Sequence, residues 1–508
     1  MAGRNGPGPS DAGMTRRRFL ALAAVGSVSA RALVGRALAA PAPVRAETAG
    51  TLRDVRRVAR RTEIDFGPLG RRSVWTYDGQ LPGPEIRVRE GDRIRVVVEN
   101  GLPEPTTVHW HGVPVPNVMD GVPGLTQAPI APGSSFTYEF EAKPAGSYLY
   151  HSHQGLQIDR GLVGALVIEE RSPHVAYDRD YALILDDLLP GDPPDMKTAQ
   201  GGGSSGGRMG GGMMGRGMMG GMGGGMMGGR GPGMMGGGGV GGMMGSLGIP
   251  DYLALLVNGH PPMDPPAFEV KRGDRVRLRL MNPSGATTYR VAVAGHRMTV
   301  SHADGRPVKP VEVDALEIGM GERYDVIVTA RNTGAWAIVA APLQGSLEPA
   351  RAVLHYLDAR TTAPPASQEP EGLRRGKLLA LQDLEALEPD DSSGGVNRDL
   401  DLVLSGGMMS PAWTIGGQVY PDADPIEIRR GERVRFRLRN MSMALHPMHL
   451  HGHFFRVGRA WKDTVLVPPH MGAVSFEFRA DNPGRWFFHC HNAYHMEMGM
   501  AREVRYVA

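Results

Sequence analysis

Ile86–Asn100 reads IRVREGDRIRVVVEN, Phe268–Asn282 reads FEVKRGDRVRLRLMN, and Ile426–Asn440 reads IEIRRGERVRFRLRN. In each, apolar and charged residues alternate on both sides of a Gly-Asp or Gly-Glu pair. That is the pattern of two half-buried strand pieces around a turn. The apolar positions are expected to face a core and the Arg and Glu positions to face water. A second pattern follows each segment. Phe136–Phe140 (FTYEF) leads through Gly146 to Tyr148–His153 (YLYHSH), Tyr324–Val328 (YDVIV) through Gly334 to Trp336–Ala341 (WAIVAA), and Val474–Phe478 (VSFEF) through Gly484 to Trp486–His491 (WFFHCH). One β-rich unit thus occurs three times, at 50–170, 175–357 and 378–508. Many short strands between Gly and Pro turns predict an all-β molecule of antiparallel barrels or sandwiches.

The units differ where chemistry would sit. The first ends in His151-Ser152-His153 and the third in His489-Cys490-His491, whereas the middle one carries Val339-Ala340-Ala341 and reads as a spacer. Cys490 is the chain's only cysteine, which excludes an internal disulfide and a four-cysteine zinc site. A thiolate with two imidazoles and a distant thioether is the ligand set of a blue-copper centre. Cys490 and His495 can supply two of the strong ligands, Met500 the weak axial one, and His446 is free to complete the set. In an extended strand His489 and His491 point away from the Cys490 side, towards a second site. Four His-x-His pairs could build it: His109/His111, His151/His153, His449/His451 and His489/His491. Residues i and i+2 of a strand share a face, so each pair can present two imidazoles together. His174, His260, His296, His302, His355, His453 and His470 lack such company and are expected to be structural.

Composition narrows the remaining choices. Thr15–Leu20 (TRRRFL), the apolar Ala21–Val28 and the small residues at Ala37-Leu38-Ala39 form a twin-arginine export leader over residues 1–40. It implies the twin-arginine machinery as a partner and a periplasmic or secreted protein. Without that arginine-rich stretch the +3 chain falls to about −2, so no basic surface for nucleic acid is indicated. No later stretch is long and apolar enough to span a membrane. Gly201–Gly248 holds 27 glycines and 12 methionines but no aromatic and no acid, and is expected to be disordered without ligand. Pro364–Arg375 reads as a linker.

His109-Trp110-His111-Gly112, His151-Ser152-His153, His446-Pro447-Met448-His449-Leu450-His451-Gly452 and His489-Cys490-His491 with His495 and Met500 resemble the motifs of the multicopper oxidases, the laccase-like enzymes. The resemblance runs from about residue 50 to the C-terminus, excluding the Met/Gly insert. It implies three consecutive cupredoxin-like domains and four copper ions. His446, Cys490 and His495 with axial Met500 would hold the type 1 ion, and His109 and His449 the type 2 ion. His111, His151, His153, His451, His489 and His491 would hold the type 3 pair. The implied reaction couples one-electron oxidation of a substrate to four-electron reduction of O2 to water, in a monomer. Asp120 matches a family acid near the cluster and is the candidate proton relay.

The resemblance lies nearest the bacterial copper-tolerance branch, where the substrate is Cu(I). Methionine thioethers in the insert are soft ligands that select that ion. Cuprous oxidases of the family carry an acid four residues before the first type 1 histidine; here the position is Ser442, between Met441 and Met443. A further acid, which many bacterial members carry after the second type 1 histidine, is replaced by Met496. The alternatives are a laccase acting on phenols or aromatic amines and, from another class, a non-catalytic copper-sequestering protein.

Overall fold

Each repeat folds as two strands: Gly83–Arg89 and Arg93–Asn100, then Ala267–Val270 and Arg275–Met281, then Ile426–Arg429 and Arg433–Asn440. The turn between them crosses from one sheet to another, so the two strands of a repeat lie in different layers. This computed structural model describes residues 50–194, 196, 250–360, 363–365, 368–387, 394–407 and 410–508. Residues 1–40, expected to be an export leader, the stretch 201–248 and two residues of the expected 364–375 linker lie outside them.

Three cupredoxin-like sandwiches result. The first packs a four-stranded sheet containing Leu52–Asp65 and Arg93–Asn100 against another containing His109–His111 and Gly146–His151. The second and third each pack a six-stranded sheet on a five-stranded one. Side chains from both layers of each pair meet in one core, such as Ile94 and Tyr138 with Ile86 and Leu166 in the first sandwich. Burial follows the strand period of two in strands such as Arg93–Asn100 and Arg433–Asn440, whereas Gly146–His151 and His446–Leu450 are buried throughout.

The sheets are mixed, which departs from the antiparallel expectation. Because the turn changes layers, each half of a repeat pairs with a strand from one end of its unit. Gly83–Arg89 runs parallel to Val163–Glu169, and Arg93–Asn100 runs parallel to Leu52–Asp65. The third unit repeats this with Ile426–Arg429 beside Ala501–Val507 and Arg433–Asn440 beside Arg398–Gly407. The closing asparagine of each repeat has one job. The Nδ2 groups of Asn100, Asn282 and Asn440 each donate to two backbone carbonyls, and each Oδ1 accepts the N–H two residues on.

A second departure concerns charge. Arg277 and Arg279 occupy positions expected to face water, yet both are buried. The first sandwich covers that face, and Arg277 pairs with Asp325 at 2.6 Å and Glu170 at 2.8 Å. Arg279 pairs with Asp180 at 2.6 Å and donates to Ser147 Oγ at 2.9 Å. A surface rule fails where a repeated unit gains a neighbour.

Candidate metal centre

Cys490 ends the strand Arg485–Cys490, which runs antiparallel to His446–Leu450 with Met448 opposite Cys490. Asn492 then caps the short helix Ala493–Glu497: its Oδ1 accepts the N–H groups of Tyr494 at 3.0 Å and His495 at 3.1 Å. The cap turns the chain back and brings His495 to the cysteine. Cys490 Sγ lies 3.5 Å from His495 Nδ1 and 3.6 Å from His446 Nδ1, and the two nitrogens are 3.1 Å apart. A triangle with those sides has its centre about 2.0 Å from every corner, close to a metal–imidazole bond length. Met500 is buried in the same core, its N–H donating to His495 O and its carbonyl accepting from Cys490 N–H.

The outer edges of these rings are also held. A metal on His446 Nδ1 leaves the proton on Nε2, which lies 2.8 Å from Ser442 Oγ; that hydroxyl donates to Asn440 Oδ1 at 2.8 Å. Trp413 stacks on His495 with ring centres 3.9 Å apart. Burial pushes the Cys490 thiol up, and burial together with His495 pushes the His446 imidazole down. The metal-free site is therefore thiol plus neutral imidazole, and a bound metal must displace the thiol proton.

The paired histidines meet between the first and third sandwiches. His109 faces His151 across one strand pair, and His449 faces His489 across another. Only His109–His111 is a strand pair throughout. In the other three pairs the first histidine is on or at the end of a strand and its partner lies in the turn beyond. The rings still converge, with His109 stacked on His451 and His111 on His449, each pair with centres 3.8 Å apart. His111, His151 and His491 have centres 4.8–5.7 Å apart, and His153, His451 and His489 have centres 5.0–5.1 Å apart. His109 and His449 are 5.8 Å apart.

Most of these rings spend one nitrogen on the protein. His109, His151, His449 and His489 donate through Nδ1 to the carbonyls of Asp120, Ser152, Asp463 and Cys490 at 2.7–3.0 Å. Left without a protein partner, though buried, are Nε2 of His109, His151, His153 and His449, Nδ1 of His111, and both nitrogens of His491. Buried polar atoms rarely lack partners unless an ion supplies one. Burial holds His151 down to about 3 and lowers His111, His153, His449, His451, His489 and His491, so these rings are neutral lone-pair donors at neutral pH. A thiol that must ionise on metal binding and a majority of neutral imidazoles suit copper.

Asp120 touches both halves of the chamber. Its Oδ2 accepts from His451 Nδ1 at 2.9 Å, and its Oδ1 lies 3.3 Å from His109 Nδ1. Met496 packs instead with Val122 and Phe487. His453 stays outside the chamber, bonded to His451 O at 3.0 Å and Tyr506 OH at 2.7 Å. In the ligand-free middle unit His296 makes the same bonds, to Ala294 O and Tyr356 OH, so this arrangement belongs to the fold. Sequence reasoning missed Asn492, Trp413, Asp463 and Arg323. An N-cap asparagine before a short helix is a readable signal; the other three act through contacts distant in sequence.

Three cupredoxin-like sandwiches with a thiolate–imidazole triangle joined to a chamber of eight imidazoles define a copper oxidoreductase. The chain belongs to the multicopper oxidase family, whose sequence patterns match residues 59–173, 239–359 and 397–507. It is 38% identical to multicopper oxidase MmcO of Mycobacterium tuberculosis, over 86% of this chain and 83% of that one. It is 30% identical to copper resistance protein A of Escherichia coli, covering 85% and 89% respectively. A multi-copper oxidase structure from Pseudomonas thermotolerans superposes with a TM-score of 0.66 at 27% identity, covering 90% of this chain and 100% of that one. The protein is therefore a copper-binding oxidoreductase of the family that uses oxygen as acceptor. Among the described residues no helix is long and apolar enough to cross a membrane.

Proposed function

We propose that the protein is a cuprous oxidase: it takes single electrons from Cu(I), passes them to O2, and serves copper tolerance outside the cytoplasm. In this reading His446, Cys490, His495 and Met500 would hold type 1 copper, and His109 and His449 would hold type 2. His111, His151 and His491 take one type 3 ion and His153, His451 and His489 the other, four coppers in all. Copper supplies one-electron transfer at the first site and four-electron reduction of O2 to water at the second. The chain does the rest. The peptide links from Cys490 to His489 and His491 are the shortest covalent connection between the sites. Asp120 holds a proton donor–acceptor position beside His451 and His109. Residues 1–40 direct twin-arginine export, and the enzyme works as a periplasmic or secreted monomer of three domains.

One observation carries the choice of Cu(I). Met441, Met443 and Met471 are 50%, 40% and 57% exposed, and they surround Ser442, the residue bonded to His446. Met471 N–H donates to Asn440 O at 2.9 Å and His470 N–H to Ser442 O at 3.0 Å, which ties the second loop to the first. His470 and Met471 both adopt left-handed backbone, with φ of 56° and 70°. Such residues cost about 1–3 kcal/mol each and persist at functional sites. Exposed thioethers gain nothing by burial here, but they bind Cu(I). Leu189, Met196 and Tyr252, which precede and follow the Met/Gly stretch in sequence, pack with Ala493 and Tyr494 beside His495.

Replacing Met441, Met443 and Met471 together by leucine keeps the volume and removes the soft ligands. Cu(I) oxidation should fall about tenfold or more, equivalent to roughly 1.4 kcal/mol of lost Cu(I) binding, while oxidation of a phenol is unchanged. Equal rates with Cu(I) in parent and variant would turn the assignment to a phenol-oxidising laccase.

A further inference from the structure

The ligands assigned above come from the first and third sandwiches, yet the second forms part of the chamber wall. Gly321, on the loop before strand Arg323–Thr329, has φ +84°; a Cβ there would stand 2.8 Å from His491 Cδ2 and 2.9 Å from His111 Cε1. Arg323 follows and is completely buried. Its Nη1 and Nη2 fork onto Asp463 Oδ1 and Oδ2 at 2.7 and 2.6 Å, and its Nε donates to Ser147 O of the first sandwich at 3.1 Å. One guanidinium thus joins all three domains. Gly112, the glycine of the His-Trp-His-Gly motif, makes room for it: a Cβ there would lie 2.3 Å from Arg323 Nη2 and 2.7 Å from Asp463 Oδ2.

Asp463 in turn reaches two chamber histidines. Its Oδ1 lies 3.3 Å from His111 Nε2, and its backbone carbonyl accepts from His449 Nδ1 at 2.8 Å. Thr464 Oγ1 lies 3.3 Å from His111 Nε2 and 3.1 Å from His449 Nδ1, and donates to Asp463 Oδ1 at 2.9 Å. Asp304 fixes the same segment, accepting the N–H groups of Asp463 and Thr464 at 3.2 and 3.1 Å and that of Arg323 at 2.9 Å. Lys462 lies 3.1 Å from both Asp304 and Glu322. Taking five charged groups out of water is expensive. A network of that cost beside the chamber has a use when it fixes ring orientation and tautomer.

We propose that Arg323, from the domain without ligands, is a positioning residue for the trinuclear chamber: by pinning Asp463 it commits His111 Nε2 and His449 Nδ1 to the protein and leaves His111 Nδ1 and His449 Nε2 for metal. Those two nitrogens are the ones without protein partners. His111 therefore presents the opposite ring nitrogen from His449, His109 and His151. Partners of this kind are worth roughly 10–100-fold in metal affinity.

The proposal rests on the copper assignment above, and full-length variants separate the two. Arg323→Lys keeps the charge and loses the fork. The double variant Arg323→Gln with Asp463→Asn removes both charges and so leaves no buried ion unpaired. Copper retention against a chelator, the electron paramagnetic resonance signal of the type 2 ion, and the visible absorption of the thiolate site are measured on each. Both variants should keep the thiolate absorption while trinuclear copper is held roughly 10–100-fold more weakly with an altered type 2 signal. A purely structural pair predicts normal retention in the double variant, and that result overturns the proposal. A parent protein without type 2 and type 3 copper would instead overturn the assignment on which it stands.

Discussion

His446 and His451 each have one ring nitrogen committed to the protein: Ser442 takes that of one and Asp120 that of the other, which leaves the opposite nitrogen for the proposed copper. Asp120 and Asp463 both contact histidines of the two outer sandwiches, but Asp463 is held by Arg323, which leaves Asp120 as the candidate base, and Met496 cannot replace it. Asp120→Asn keeps the shape and loses the base. Oxygen reduction should slow by roughly a hundredfold, while stopped-flow reduction of the type 1 site proceeds as in the parent. Equal slowing of both steps, or of neither, removes Asp120 from proton delivery. At this scale the sequence was most informative, because i, i+2 spacing on a strand is a geometric statement. The chamber holds the eight paired histidines and leaves out His453. What the sequence hid was the support. Ser442 reads in the sequence only as a missing acid, and its bond to His446 appears only in the fold. Asp463 and Thr464 carry no local pattern, since their partner Arg323 lies 140 residues away.

Among the strands, alternation of apolar and charged residues correctly marked the repeats. It could not tell that the turn inside each repeat changes sheets, since a Gly-Asp turn has the same composition whether it makes a hairpin or a crossover. Nor could it reveal that the Arg275–Met281 strand is covered on its charged face. There burial alone would raise the Asp325 carboxyl, but Arg277 and Arg279 outweigh it and hold the group down to about 2. A depressed carboxyl adds stability that is present above the ordinary value near 3.8 and is lost as pH falls towards 2. The loss should be about 2 kcal/mol, read from denaturant unfolding of the copper-free protein at pH 5 and pH 2.5. Asp325→Asn should flatten that pH dependence. A variant as acid-sensitive as the parent would show that the Arg277–Asp325 contact does not set it.

For the molecule as a whole, three copies of one sandwich have diverged in what they offer. The outer two supply facing histidines, so neither can complete the chamber alone. The middle one was expected to be a spacer. It does hold the outer pair together, but its Gly321 and Arg323 also reach the chamber wall, which a loss of ligands in the sequence gave no reason to suspect. Sequence repetition made the architecture readable. Specialisation of the copies was readable only where it changed ligand residues, not where it changed the surfaces between copies.

In the proposed assignment Cys490 anchors a type 1 copper distinct from a three-ion chamber. Copper content and visible absorption of the parent and of Cys490→Ser test it together. The parent should bind about four coppers with an intense visible band from the thiolate–copper bond. The variant should lose that band, one copper and turnover, and keep the other three. An intense visible band that survives in Cys490→Ser would contradict the account.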